Sequence, residues 1–485
     1  MRPQAQTSLL SQSFISLGLI GSFLIAGIVI AIVLSTGNLN TGLQVLLIPF
    51  IVTAVVLIFA NPYYGIIIYL HYSFIFVAIT RYVSGSLGLF VDIILFLTVL
   101  STLAKIEWKS LRQLNTGIFY LIISWFLYTV LQLLNPESTN PTAWFYAIRG
   151  ISLYAATAVP LALLLYNKPK DLDHFIKLIL GWSVFASLWG MKQITIGLDF
   201  GEQRWFDTIG NVTHFIDGRL RAFSLFSDAG QNGTTMAYAS FIALVMALGP
   251  YERKRKIRYL VIGLICFVGF TISASRGPLF VVVTGFILYL FLIKRFKILS
   301  IGLVIGAFAF AFLKFTFIGN SNYQIFRLRT ALDPNDASLL VRLGNQKTLR
   351  QYLESRPFGN GIGSSYYWAN KYYPGSFLSK IPVDSWFVNI WVENGVIGLA
   401  LHFLAITYVI IMGFHNTYKT RNPDLKQKLM AIYGGFVGVV VASFGNPVFG
   451  QAPLGALMYL SMVFLSIAPL MDSNKNTLAV NELLV

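Results

Sequence analysis

Apolar runs of about 20 residues, almost free of charge, recur from one end of this chain to the other, and that length matches a hydrocarbon core roughly 30 Å thick crossed as helix. They lie near 14–35, 43–60, 63–79, 88–104, 117–134, 143–165, 175–197, 231–249, 258–275, 277–293, 298–318, 385–414, 429–446 and 451–471. Lipid offers backbone N–H and C=O groups no partner, so each run must pair them internally as a helix. The pattern predicts an all-α polytopic membrane protein with about 14 transmembrane helices. Charged residues make up only 11% of the chain, against roughly 25% in soluble domains. Soluble enzymes, secreted domains and disordered chains are thereby excluded. Cys266, the single cysteine, sits inside an apolar run, which excludes a disulfide framework and a thiolate metal cluster. The first run is too long for a removable signal and lacks its basic start and cleavage pattern, so it reads as a retained helix.

The formal charge of +17 would suggest nucleic acid in a soluble chain. Here it reads first as positive cytoplasmic loops and second as a site for anionic lipid, with no nucleic acid partner. The basic groups are Lys105/Lys109/Arg112, Lys168/Lys170, residues 253–258, Lys294/Arg295/Lys297 and Lys419/Arg421/Lys426/Lys428. With 14 spans all five fall on one side together with both termini, while loops 36–42 and 135–142 opposite carry no Lys or Arg. Arg81, in an outer loop, is a mild exception. The chain divides into N-terminal helices (1–197), an outer loop with central helices (198–318), a large partly helical outer loop (319–384), C-terminal helices (385–471) and a cytoplasmic tail (472–485).

The loop 319–384 holds eight Lys or Arg against four acids, contrary to the positive-inside bias, and function is the leading reason to retain them. Asp336 is placed to cap a helix running to Ser355, on which Arg342, Gln346 and Arg350 form a polar row at i, i+4 and i+8. Gly359-Asn360-Gly361-Ile362-Gly363 then reads as a structural turn or as backbone that approaches a ligand. Tyr366, Tyr367, Trp368, Tyr372, Tyr373 and Phe377 read as an interfacial belt or as a platform for sugar rings. Arg219 and Arg221 precede Ala222-Phe223-Ser224-Leu225-Phe226-Ser227-Asp228, and Arg276 lies between two apolar runs. An arginine at that depth is costly unless paired or lining a wet cavity, and guanidinium forks suit phosphate oxygens. Several on one outer cavity would suit a diphosphate; the structural alternative is snorkelling, or pairing with Asp228 or Asp384. Arg149 and Lys192, within spans, read as structural pairs. His214 is the one histidine in an outer loop, and the nearby acids are Asp217, Asp228, Asp384 and Glu393. No metal-ligand spacing occurs, so neither metal nor cofactor is expected.

In this order, Arg221-Ala222-Phe223-Ser224-Leu225-Phe226-Ser227-Asp228, Ser275-Arg276-Gly277-Pro278, Arg356-Pro357-Phe358-Gly359-Asn360-Gly361-Ile362-Gly363 and the segment from Val383-Asp384-Ser385-Trp386 through Glu393-Asn394-Gly395 to Leu399 resemble the O-antigen ligase and polymerase superfamily. The resemblance covers roughly residues 200–415. It implies a GT-C-type glycosyltransferase at the periplasmic face of the bacterial inner membrane, both termini cytoplasmic. The implied donor is a glycan on undecaprenyl diphosphate, the acceptor another glycan, with no metal or nucleotide sugar. A chain-length regulator and a flippase are further partners it suggests. By position it carries diphosphate binding onto Arg219 or Arg221, Arg276 and Arg342. Glu393, Tyr366 and Trp368 join the substrate-binding candidates.

Family ligases usually place a histidine just before the closing helix, where this chain has Pro382-Val383-Asp384-Ser385. Asp384 is therefore the leading candidate base, with the helix N-cap as its equal alternative, and His214 follows. The missing histidine points to a polymerase of O-antigen, capsule or exopolysaccharide repeats. The alternatives are a ligase of the same superfamily and a lipid-linked oligosaccharide flippase, which should instead hold its cations in a central cavity within two related bundles.

Overall fold

The computed structural model describes residues 39–482 other than 84, 139, 217, 322–324, 327–328, 330–332, 334 and 336, together with 21, 27 and 28. The expected first span, Asp217 and the Asp336 cap thus lie outside the described residues. The helices are α1 (Leu39–Ala60), α2 (Tyr63–Ile79), α3 (Leu89–Lys105), α4 (Gly117–Leu131), α5 (Pro141–Leu165), α6 (Pro169–Thr195), α7 (Phe200–Trp205) and α8 (Asn211–His214). After a two-residue hairpin, β1 (Phe215–Ile216) with β2 (Arg219–Leu220), come α9 (Ala229–Ala247), α10 (Arg253–Ile272), α11 (Leu279–Leu292) and α12 (Phe296–Phe315). The large loop carries α13 (Ala337–Leu353) and α14 (Tyr366–Tyr372), and α15 (Trp386–Lys419), α16 (Pro423–Ala442) and α17 (Leu454–Glu482) close the chain.

Among the described residues seven helices are long and apolar enough to cross a membrane: α4 extended to Leu134, α5, α6, α12, α15, α16 and α17 up to Asp472. Three shorter apolar helices lie at Leu47–Ala60, α2 and α11. The chain is a polytopic membrane protein. The other three expected runs are also helical, α3 one residue short of that length at 17 residues and the other two with polar or basic starts. α3 has Asp92, ion-paired at 3.1 Å with Arg149 of α5. α9 begins with Gln231 and Asn232, and α10 begins with the basic stretch 253–258.

The centre of the bundle is built from α9, α16 and α17. Nearly every residue of α9 is buried, against α6, α10, α11 and α16. Small residues permit this closeness, as at membrane helix interfaces generally: a Cβ on Gly438 of α16 would meet the Val281 carbonyl oxygen of α11 at 2.6 Å. α12 is the opposite case, with no buried residue and an apolar sequence. Two helices are locally broken. α5 contains a π-turn at Arg149–Leu153, the bulge that turns Arg149 toward Asp92. α15 breaks at Gly395, whose φ of 67° and ψ of −173° are essentially restricted to glycine.

Candidate functional site

The starts of α9, α11 and α15 meet at the turn leaving α16. Asp228 caps α9 through the Gln231 amide at 2.8 Å. Asn446 lies against Gly230 and Gly277, where added Cβ atoms would meet its side chain at 3.6 and 2.3 Å. At α15, the Trp386 amide donates to the Ser443 carbonyl at 3.0 Å. Arg276 and Asp384, each next to a residue packed on this turn, are therefore gathered around Ser443–Asn446.

Asp384 is not the helix cap. Ser385 holds that position without a side-chain cap bond, and Asp384 Oδ2 accepts from Arg342 Nε at 3.2 Å instead. Arg342 is delivered there by the docking of α13. Leu349 and Leu353, seven and eleven residues later and so on the same helical face, bury against Val392 of α15 with Leu378 and Ile381. The Arg342–Asp384 pair is half-exposed.

The strap before α9 is pinned from several directions. Arg221 donates from Nε to the Ser273 carbonyl at 3.2 Å and from Nη1 to the Thr213 carbonyl at 3.1 Å, three residues in sequence from Arg276 on one side. Arg219 is exposed on β2, in register with Ile216. Arg81, just past the end of α2, is buried and donates to the carbonyls of Ser224 and Phe226, both at 2.5 Å. Its guanidinium also lies 4.6 Å from the Phe223 ring centre and 5.0 Å from that of Trp205. Burial lowers its pKa to about 10, helped back up by Glu202, so it stays cationic at neutral pH. His214 sits beside it between Trp205 and Phe223, each ring 5.2 Å away. Its Nδ1 faces the Gly210 carbonyl at 2.8 Å, and burial pushes its pKa down. That setting fits a packing role rather than access to a substrate.

Below the large loop, the glycine run is a tight join. Gly359, Gly361 and Gly363 all have positive φ, and a Cβ at Gly359 would meet the Gly395 amide nitrogen at 2.4 Å. The loop backbone thus packs directly into the break of α15. Glu393 is buried at the same place, accepting from Ser365 Oγ at 2.6 Å and the Ser365 amide at 3.3 Å. Just beyond, Trp368 stacks on Tyr146 of α5 at 5.7 Å and 20°, and Tyr372 stacks on the same ring at 6.0 Å. Lys371 stands 5.5–5.7 Å from all three rings, while Tyr366 and Tyr367 remain exposed. Among the described residues, no three His, Cys, Asp or Glu side chains converge as a metal site would need.

Residues 260–403, from α10 into the second part of α15, match the family model described as O-antigen ligase. That segment is similar to the O-antigen ligase family. It contains Arg276, Arg342, Asp384, Glu393, the glycine run and the aromatic cluster. The chain is also 22% identical over 246 residues to an O-antigen polymerase from Salmonella muenchen, a stretch covering 49% of this chain and 59% of that protein. The O-antigen ligase and polymerase resemblance read from the sequence therefore holds.

Within this family frame, Arg342 joins Asp384, while Arg276 and Arg221 approach the same end of the bundle. Glu393 and His214 are buried, and Trp368 is partly exposed against Tyr146. Arg149 and Lys192 are paired, Lys192 with Asp199 at 3.2 Å and Glu202 at 2.8 Å. Arg81 and Tyr146 were missed as site-building residues. Arg81's position in an outer loop against the charge bias was the available signal; Tyr146 gave none, because its partners lie over 200 residues away.

Proposed function

We propose that this chain polymerises lipid-diphosphate-linked oligosaccharide repeat units at the periplasmic face of the bacterial inner membrane. The observation that carries this reading is the gathering of Arg276 and the Arg342–Asp384 pair around Ser443–Asn446, beneath the large loop. Similarity to an O-antigen polymerase supports it. Arg276, Arg342 and Arg221 or Arg219 would bind the donor's diphosphate. The Arg342–Asp384 contact engages Nε, so the two terminal amino groups of the fork are those that would meet phosphate oxygens.

In the transfer, an acceptor sugar hydroxyl attacks the anomeric carbon of the donor. The new C–O bond forms as the bond to the diphosphate oxygen breaks, and the lipid diphosphate departs with the electron pair. Asp384 takes the hydroxyl proton. The arginines stabilise the charge that grows on the leaving oxygen, where cations already held in place contribute most. The stacked Tyr146, Trp368 and Tyr372, with exposed Tyr366 beside them, form the wall against which sugar rings would lie.

The test is purified protein with a lipid-diphosphate-linked repeat unit, in EDTA, with products sized on a gel. A ladder of lengthening glycans supports the polymerase. The ligase reading is favoured by the description of the matched family; it predicts one shift that requires a lipid A core acceptor. Movement of the lipid-linked glycan across vesicles at unchanged length would instead mark a flippase.

A further inference from the structure

At the opposite end of the bundle from the large loop, a cavity of about 780 Å³ opens where the ends of α9, α11 and α15 meet the start of α16. Lys294, Arg295 and Lys426 line it, with Tyr418, Tyr289 and Gln427, and among the described residues no Asp or Glu does. The cations come from two separate chain segments. They are also focused: Lys294 Nζ and Lys426 Nζ lie 5.3 and 5.6 Å from the centre of the same Tyr418 ring. Lys426 Nζ additionally donates to the Tyr418 carbonyl at 2.9 Å.

Two observations separate this place from an ordinary run of basic loop residues. Lys294 has a φ of +56°, a left-handed backbone that glycine would adopt without cost. The chain keeps a lysine there, and the turn directs it over Tyr418. The nearby carboxylates are engaged elsewhere. Asp424 bonds to Lys428 at 2.5 Å, and Asp472 accepts the Arg421 and Asn422 amides at 2.9 and 3.1 Å. The cavity thus concentrates three cations beside the phenol hydroxyls of Tyr289 and Tyr418, while Gln427 Nε2 is already given to the Val245 carbonyl and the Tyr289 hydroxyl. It is bordered by the apolar ends Leu248, Leu292 and Ile293, where an acyl chain would leave a headgroup.

We propose that this cavity is a binding site for the phosphate headgroup of an anionic phospholipid. Basic pockets between helix ends recognise such headgroups by charge, while the acyl chains stay in the bilayer. The site is separate from the glycan-transfer region and does not depend on that assignment.

The test uses full-length protein in detergent, titrated with short-chain phosphatidylglycerol or phosphatidylcholine and read by native mass spectrometry. Phosphatidylglycerol is expected to bind with clear preference. The variant Lys294→Gln/Arg295→Gln/Lys426→Gln should weaken that binding by about a hundredfold, because all three cations facing the headgroup are removed. The control Arg253→Gln/Lys254→Gln/Lys256→Gln removes equal charge at the same end but outside the cavity, and should retain binding. Equal losses in both variants, or no preference over phosphatidylcholine, would overturn the site. Displacement of the lipid by millimolar inorganic phosphate would assign the cavity to a free anion and overturn the lipid claim. If the cavity triple variant aggregates on size exclusion, Lys426→Gln alone serves, and undiminished lipid binding by it would overturn the proposal.

Discussion

Replacing Asp384 with Asn separates a catalytic carboxylate from a structural one. The Arg342–Asp384 contact is a single Nε–Oδ2 bond of 3.2 Å, with side chains 39% and 47% exposed. Pairs in that setting contribute about 0.2–1 kcal/mol, because solvent screens them and ordering two side chains costs entropy. Asp384→Asn keeps the shape and an acceptor for Arg342, so stability should fall by no more than about 1 kcal/mol, a melting shift of about 2–4 °C at most. Loss of a general base costs about 10²–10⁴ in rate. The assay is the initial rate of glycan-ladder formation, beside thermal unfolding of the same preparations in detergent. Arg342→Gln should lower kcat as well as raise KM for the lipid donor, since Arg342 is assigned both to the bound diphosphate and to the charge that grows on it. Activity of Asp384→Asn within about threefold of wild type would refute the base assignment, because base loss costs far more. Destabilisation by several kcal/mol with a matching rate loss would make the pair a latch for α13.

Arg276→Ala is expected to abolish ladder formation while the protein remains in the membrane at wild-type level; wild-type turnover would remove Arg276 from the site. Gly395→Ala places a Cβ 2.0 Å from the Pro357 carbonyl in a glycine-only conformation. It should cost at least about 1–3 kcal/mol and undock the loop, seen as a lower melting temperature and faster proteolysis between α13 and α15. Burial depresses the His214 pKa, so the unfolded chain binds its proton more readily. Its stability contribution is complete above the unfolded pKa of about 6.5 and declines as pH falls through that value, so His214→Phe should flatten the melting temperature between about pH 7 and 5. Arg81→Met strands two carbonyls held by a charged donor and should cost about 3 kcal/mol or more, measured by chemical unfolding in detergent.

The helical architecture was legible because lipid enforces one solution for an apolar run, and run length sets its span. Position along α13 was legible too: the i, i+4, i+8 spacing correctly put Arg342 in line with later polar residues, though not what it would meet. Contacts made by backbone carbonyls were not legible. Arg81 binds Ser224 and Phe226 through carbonyl oxygens, which every residue possesses and no letter distinguishes. The same holds at Gly395, where the spacing of glycines suggests a turn but cannot reveal that two glycine-rich segments interlock. Asp384 shows the limit for side chains. A carboxylate before a helix suits a cap or a base equally, and only the docking of α13 through Leu349 and Leu353 places an arginine beside it.

The contrast between α9 and α12 has a consequence for variation. α9 is buried along nearly its whole length, small residues in its first turns and Tyr238 and Phe241 further on, whereas α12 buries none of its side chains. On α12 an exchange of Leu for Phe or Ile leaves the lipid contact intact. On α9 even one added methylene must displace a neighbouring helix. In a saturation scan scored for function, α12 should tolerate most apolar exchanges and reject charge, while α9 should reject size. Equal tolerance on the two helices would mean that α9 is not the enclosed element. The less hydrophobic of the two helices is then the less replaceable, and it is the axis around which related chains should keep their side-chain volumes most nearly constant.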